Sequence, residues 1–315
     1  MKSNSEGEKP IAVYGAIAAN TAIAVTKFIA AAITGSSAMI SEGIHSVVDT
    51  GNQLLLLLGI HSSKKPADDL HPFGHGKNLY FWSLIVAVVL FGIGGGMAIY
   101  EGILHLFHPA EIKDPTWNYV VLGLALIFEG ISGYIAVREL LKEEMHGGFW
   151  RTLVDSKNPA VFTVVAEDSA AVAGLAVAAI GVFLSHRLNN PYIDGMASIV
   201  IGLMLAGVAV FLVIESKGLL IGESIERDAI DRIYKLAGAD SGVSRVRRPL
   251  TMHFGPNEAL LAMDVEFSPN LSTAEIIATI DRLQNRIRKE RPEIKHIYIE
   301  AASLKNYNSG SGTDL

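Results

Sequence analysis

Six long apolar runs decide what this chain can fold into. They extend from about Ile11 to Ile33, Ala38 to Ile60, Leu79 to Phe107, Trp117 to Leu141, Ala160 to Leu188 and Ile193 to Ile214. A helix needs roughly 20 apolar residues to cross ~30 Å of hydrocarbon, and every run is long enough. The separators break helices: Thr34-Gly35-Ser36-Ser37 is a tight turn, and His108-Pro109, Asp114-Pro115 and Asn189-Asn190-Pro191 stop one helix and release the next. Composition agrees, because 315 residues that are 50% hydrophobic and 18% charged, with mean hydropathy +0.34, do not read as soluble domains. The expected fold class is an α-helical membrane protein with six transmembrane helices over residues 11–218, after a cytoplasmic tail of residues 1–10. That opening stretch, MKSNSEGEKP, lacks the charged-then-apolar order of a signal peptide, so no cleavage is expected.

Charge asymmetry sets the orientation. The loop after the second run carries Lys64, Lys65 and Lys77, and the loop after the fourth carries Lys142, Arg151 and Lys157. The opposite side has Lys113 and Arg187. Excess Lys and Arg marks the cytoplasmic side, which places both termini there. The expected location is integral to a membrane, a bacterial inner (plasma) membrane, with the bilayer as partner.

Near Gly222 the texture changes. Glu223 to Leu236 is amphipathic at helical period, Val243 to Phe254 and Leu260 to Phe267 alternate as strands around Gly255-Pro256-Asn257, Ser272 to Glu290 is again helical, and His296 to Ala301 is a last strand. The α-β-β-α-β order over residues 219–305 predicts a small cytoplasmic α+β domain with helices on one face of a three-stranded sheet. Residues 306–315 are Ser/Gly-rich and expected to be disordered.

Composition then narrows the chemistry. With no cysteine, thiolate metal sites, disulfides and cysteine nucleophiles are excluded, so a metal must be held by the ten His, the 32 acids or amides. A net charge of −6 and pI near 5.9 argue against nucleic acid as a partner. The sequence also lacks the H-E-x-x-H of an intramembrane zinc protease.

Ionisable residues inside the runs carry the functional signal, since a charge at the bilayer centre costs a few kcal/mol or more. His45 and Asp49 in the second run stand four residues apart, which stacks them on one helix face about 6 Å apart along the axis. That spacing suits one shared divalent ion, and it also suits an interhelical hydrogen-bond clamp. In the fifth run, adjacent Glu167 and Asp168 cannot both face lipid. Asn20, in the first run, fits either helix packing or an oxygen ligand, while Glu129 and Glu101 are ambiguous and Glu101 is expected near the outer interface. Between the second and third runs, Asp68, His71 and His75 form a compact His/carboxylate cluster in a Gly/Pro loop.

These stretches resemble the cation diffusion facilitators, a family of proton-coupled zinc and manganese exporters. The resemblance covers nearly the whole chain. It rests on Thr34-Gly35-Ser36, on Ser41-Glu42-Gly43-Ile44-His45-Ser46-Val47-Val48-Asp49, on His71-Pro72-Phe73-Gly74-His75-Gly76-Lys77, and on Asp168, Asp194 and Glu215-Ser216. It implies six transmembrane helices, a metallochaperone-like (ferredoxin-like) cytoplasmic domain, a homodimer, and one transport site per protomer using His45, Asp49 and Asp168. Protons are the expected counter-ion; the His/carboxylate set suits Zn²⁺ as substrate, with Mn²⁺, Fe²⁺, Co²⁺ or Cd²⁺ as alternatives, and Asp68, His71 and His75 are expected to hold a structural or regulatory ion or to feed ions to the entrance.

Two departures from the family pattern stand out. Where the family has another ligand, this chain has Val164, so either water completes a site of three protein ligands or Glu167, Asn20 or Glu129 is recruited; Glu167 points about 100° from Asp168 on an ideal helix and would need a local distortion to share the ion. The Glu-Asp pair resembles the branch that contains the animal mitochondrial zinc transporter. In the cytoplasmic domain, Arg247, Asp264 and Glu300 fall where bacterial relatives bind ions, so that site is expected to be weak or absent, and His253 and His296 are expected on the strand surface. Gly92, Gly94, Gly95 and Gly96 are expected to permit close helix contact in the third run.

Overall fold

The computed structural model describes residues 10–109, 115–141, 152–153 and 156–303, with side chains from Asn20 onward, Glu139 excepted. Lys113, Lys142, Arg151, residues 1–9 of the opening tail and residues 306–315 lie outside the described residues. The chain divides into two compact units: residues up to His61 with Asn78–Lys217, and Ser62–Lys77 with the residues from Gly218 on. The loop that bears Asp68, His71 and His75 therefore belongs to the same unit as the C-terminal domain.

Six long helices are described: α1 (Pro10–Thr34), α2 (Ser37–Ser63), α3 (Asn78–Phe107), α4 (Thr116–Leu140), α5 (Pro159–Leu188) and α6 (Tyr192–Ile221). Four of them, α3 to α6, contain stretches long and apolar enough to cross a bilayer. In α1 the described apolar part is the shorter Asn20–Thr34. In α2, Glu42, His45, Asp49, Asn52 and several serines dilute the apolar character, and these polar residues are buried. Large apolar side chains point outward instead, among them Val25, Ile29 and Ile33 on α1 and Leu124, Ile127, Ile131 and Ile135 on α4. Polar groups inside and apolar groups outside is the distribution a lipid solvent demands.

The helix ends follow the sequence signals. Gly35 takes a left-handed φ of 73°, which lets its N–H return to the Ala31 carbonyl at 2.8 Å and reverses the chain into α2. Asn158 caps α5, accepting from the Ala160 N–H at 3.2 Å with Pro159 in the first turn, and Asn189 ends it at φ 48°. The α3 glycines behave unequally. Leu90–Gly95 is a π-helical turn within α3. Gly95 at its end and Gly102 beyond it meet Gly202 and Gly195 of α6 backbone to backbone: a Cβ on Gly102 would fall 2.7 Å from the Gly195 oxygen. Gly92 has open space around it.

In the C-terminal unit, α7 (Arg227–Gly238), β1 (Val243–Val246), β2 (Leu250–Gly255), β3 (Glu258–Phe267), α8 (Thr273–Glu290) and β4 (Ile294–Ala301) follow in order. The strand expected from Val243 to Phe254 is divided around Arg247-Arg248-Pro249, since proline cannot donate to a ladder. Both pieces pair antiparallel with β3, and β4 pairs parallel with it. Ala259, Leu261, Met263 and Val265, alternate residues of β3, form the core with Ile230 and Ile233 of α7 and Leu283 and Ile287 of α8. Ser272 and Glu275 close a capping box at the start of α8.

Candidate metal sites

The second helix is fixed at its start by a carboxylate from α6. Asp194, fully buried, accepts from Ser36 Oγ at 2.8 Å, Ser37 N at 2.5 Å and Ser37 Oγ at 3.1 Å. Acidic groups at a helix N-terminus satisfy orphan N–H donors and favour the helix dipole. His105 of α3 lies nearby, its Nε2 3.8 Å from Asp194 Oδ2.

Two turns further on, α2 presents His45 and Asp49. His45 is 1% and Asp49 9% exposed, and Nε2 lies 3.3 Å from Oδ2. Neither His45 Nδ1 nor Asp49 Oδ1 has a hydrogen-bond partner among the described residues. Buried polar atoms are ordinarily satisfied, so unsatisfied atoms on a His/carboxylate pair mark a place suited to another ligand.

The adjacent acids of α5 diverge. Glu167 Oε1 accepts from Asn52 Nδ2 of α2 at 2.6 Å, and Asp168 Oδ2 accepts from Ser132 Oγ of α4 at 2.8 Å. Glu167 thus meets the His45- and Asp49-bearing helix with no distortion of α5, whose 30 residues are regular α-helix. The distortion that Glu167 would need in order to share an ion with Asp168 is not present among the described residues of α5, and the two acids bond to different helices, α2 and α4. Asp49 lies within electrostatic range of Glu167, Glu129, Asp168 and Lys27. His45, Asp49 and Asp168 do not converge within 4.8 Å as a set of three among the described residues. Val164 is half-buried, Glu129 is buried, and Asn20 is half-buried on α1.

The loop cluster does converge. Donor atoms of Asp68, His71 and His75 lie within 4.8 Å of one another. Asp68 Oδ1 is 3.0 Å from His71 Nδ1, and Oδ2 is 3.5 Å from His75 Nε2. His75 Nδ1 faces the Pro66 carbonyl at 3.1 Å; in the tautomer that donates there, Nε2 keeps its lone pair for a metal. Local desolvation works to raise the Asp68 carboxyl, but the His71 backbone N–H and imidazole outweigh it and hold the group below the usual carboxylate range. An oxygen and imidazole nitrogens on a loop fit a divalent ion.

Gly74, at φ 79°, turns this loop so that Phe73 stacks on Phe254 with ring centroids 4.8 Å apart and meets His296 edge-on at 5.2 Å. His296 is half-buried, with Nε2 3.0 Å from Glu258 Oε1, and His253 is 4% exposed. The expectation of two surface histidines is corrected: His253 pairs in register with Ala259 and so shares the core face, while His296 is covered by the loop. Asp264 pairs with Arg247 at 3.6 Å.

Sequence reasoning missed Lys27. Its Nζ is 3.0 Å from Glu42 Oε2 and 2.8 Å from Ser46 Oγ, and both members of the ion pair are 0% exposed. The signal was present, as a lysine within an apolar run and an acid four residues before a serine in the next. Asn52 was missed as well.

The geometry defines a helical membrane protein with acidic and imidazole donors inside its bundle and a second donor cluster on a loop. Residues 13–221 match the family model described as the cation efflux transmembrane domain, and the chain belongs to that family of cation diffusion facilitators. It is an integral membrane protein by family. Similar proteins include the mitochondrial proton-coupled zinc antiporter SLC30A9 of Xenopus laevis, 30% identical over 87% of this chain and 56% of the relative. The human SLC30A9 antiporter is 30% identical over 87% of this chain and 55% of its own. Metal tolerance protein C4 of Arabidopsis thaliana is 32% identical over 75% of this chain and 52% of its own. The chain spans about half the length of these curated relatives.

Proposed function

We propose that the protein is a proton-coupled antiporter that exports Zn²⁺ from the cytoplasm by alternating access. The observation that carries this reading is the buried His45–Asp49 pair, with unsatisfied atoms on both residues, on a helix that meets Glu167 of α5. The printed names of the antiporter relatives favour zinc and protons. His45 and Asp49 are the α2 ligands, and Asp168 and Glu167 are the acids of α5 that complete the shell, with Asn20 and Glu129 as further oxygen donors. A metal ligand must give up its proton to bind, so ion and protons exclude one another at these groups. Proton entry from the opposite side then displaces the ion outward.

In this reading α1 and α2 join the four apolar spans as a six-helix membrane domain of a homodimer, in a bacterial inner membrane with both termini cytoplasmic. Asp68, His71 and His75 hold a structural or regulatory ion. A His/carboxylate set also accepts Mn²⁺, Fe²⁺ or Co²⁺, so the metal is decided by assay. The test is metal-dependent proton flux in sealed proteoliposomes, with each divalent ion in turn. Zinc should drive counter-flux that Asp49→Ala and Asp168→Ala abolish. Absence of flux with every ion, or equal flux after Asp49→Ala, would defeat the reading and favour a metal-sensing membrane protein.

A further inference from the structure

Lys27 is a fully buried cation with no role in ligand binding as described above. Taking an ammonium into a helix bundle is costly even when it is paired, and buried pairs recover that cost incompletely. Its anchorage is built by three helices. From α1, Nζ reaches Glu42 and Ser46 of α2; from α5, Gly174 leaves the room, since a Cβ there would fall 2.6 Å from Glu42 Oε1.

Glu42 and Ser46 are spaced like His45 and Asp49 and lie three residues before them, so α2 carries two neighbouring i,i+4 pairs. One holds an ammonium. The other holds no partner for its outer atoms among the described residues. The charge of Lys27 reaches His45, Asp49 and Glu129. Asp49 and Glu129 are therefore acids that share one fixed positive charge, and Ser46, which bonds the ammonium, lies one turn before Asp49.

We propose that Lys27 is a tethered counter-ion of the transport site, a positioning residue that never touches the metal but weakens its binding enough for release. The inference rests on the reading of His45 and Asp49 as transport ligands. Several carboxylates and an imidazole, uncompensated in a low dielectric, would trap a divalent ion; transport needs binding strong enough to load and weak enough to let go. The ammonium repels a dication twice as strongly as a monovalent ion at the same separation, and Glu42, a turn further from Asp49 than Ser46, cancels that repulsion only in part while holding the ammonium at a constant place.

The experiment uses the full chain with His71→Ala and His75→Ala throughout, so that the loop contributes no binding. Zinc affinity is measured by competition with a fluorescent chelator, and flux is measured in proteoliposomes. Lys27→Met with Glu42→Gln removes the ion pair, and with it the ammonium end beside Ser46, without changing net charge or stranding a buried carboxylate, and Lys27→Arg retains the pair. The charge-free variant should bind zinc about tenfold more tightly, with a lower half-saturating concentration and a lower maximal rate, while Lys27→Arg stays near the parent. A merely structural lysine would give weaker binding or no change on removal, and either result overturns the proposal. If Lys27→Met with Glu42→Gln does not fold, Lys27→Gln with Glu42→Gln carries the same test. His45→Ala separates the two readings. Unchanged affinity there overturns both; lost affinity there, with no tightening in the charge-free variant, overturns the role of Lys27 alone.

Discussion

Replacing Asn52 by Leu tests whether Glu167 completes the ion's shell. Asn52 is fully buried and Glu167 is 5% exposed, so no solvent stands ready to replace the 2.6 Å bond between them. Asn52 Oδ1 has no hydrogen-bond partner among the described residues, so loss of the amide strands a single group, Glu167 Oε1. A hydrogen bond to a charged group contributes roughly 1.5–3 kcal/mol, and each ~1.4 kcal/mol is tenfold in a binding constant. If Asn52 aims Glu167 at the ion, the variant should bind zinc about 10–100-fold more weakly, the range typical of lost groups behind metal ligands. Ser132→Ala removes a comparable 2.8 Å bond from Asp168, but that pair is only partly buried and water can substitute, so its effect should be under about tenfold. Chelator competition on the purified full chain reads both, with Glu167→Gln as the upper bound. The reasoning fails if Asn52→Leu leaves affinity unchanged, or if Ser132→Ala costs more than Asn52→Leu. The second outcome would assign the shell to Asp168 alone.

Gly202→Ala should lower thermal stability by about 1–3 kcal/mol, because its Cβ would fall 2.7 Å from the Ile99 N and 2.8 Å from the Gly95 O, where backbone must move. Gly92→Ala, facing open space, should leave the melting of the detergent-solubilised protein unchanged. In the C-terminal unit, hydrogen bonds from Arg282 hold Asp240 below its ordinary range against opposing desolvation, so the stability it contributes is present above pH ~4 and is lost as pH falls through the lower folded value. Asp240→Asn should therefore speed hydrogen exchange in β1 and α8 at pH ~7 by an amount worth roughly 1 kcal/mol, as Arg282 is half exposed. The difference from the parent should close in acid.

The long elements were legible because lipid and period leave few choices. Pro109, the Asn189-Asn190-Pro191 stop and the Ser272 cap all act within a few residues of where they stand. Pro249 was equally visible, yet its division of the second strand pattern went unread. The failures concern pairing across the bundle. Glu167 and Asp168 are one residue apart, and an ideal helix says only that they diverge; which one meets α2 depends on how α5 is rotated against its neighbours, which no local pattern encodes. His253 shares the core face with Ala259, and the polarity of an imidazole alone had pointed it outward. Lys27 and Glu42 are 15 residues apart on different helices, and only the packed bundle makes them partners.

Along α2 these contacts form one sequence of constraints. Asp194 fixes the N-terminal turn, Glu42 and Ser46 hold Lys27, His45 and Asp49 present open donor atoms, and Asn52 holds Glu167. The four groups lie on one helix, so a rotation or slide of α2 cannot change one contact alone. A movement that drew Asn52 away from Glu167 would also displace the Lys27 charge relative to His45 and Asp49. The glycine contacts of α3 and α6 need no such movement, being backbone against backbone around a π-turn. If the protein releases its ion by rearranging helices, as proposed, the coupling belongs to α2 and its polar partners on α1 and α5, and variants that retain the charges of Lys27, Glu42 and Glu167 but lengthen or shorten their reach should alter rates more than affinity.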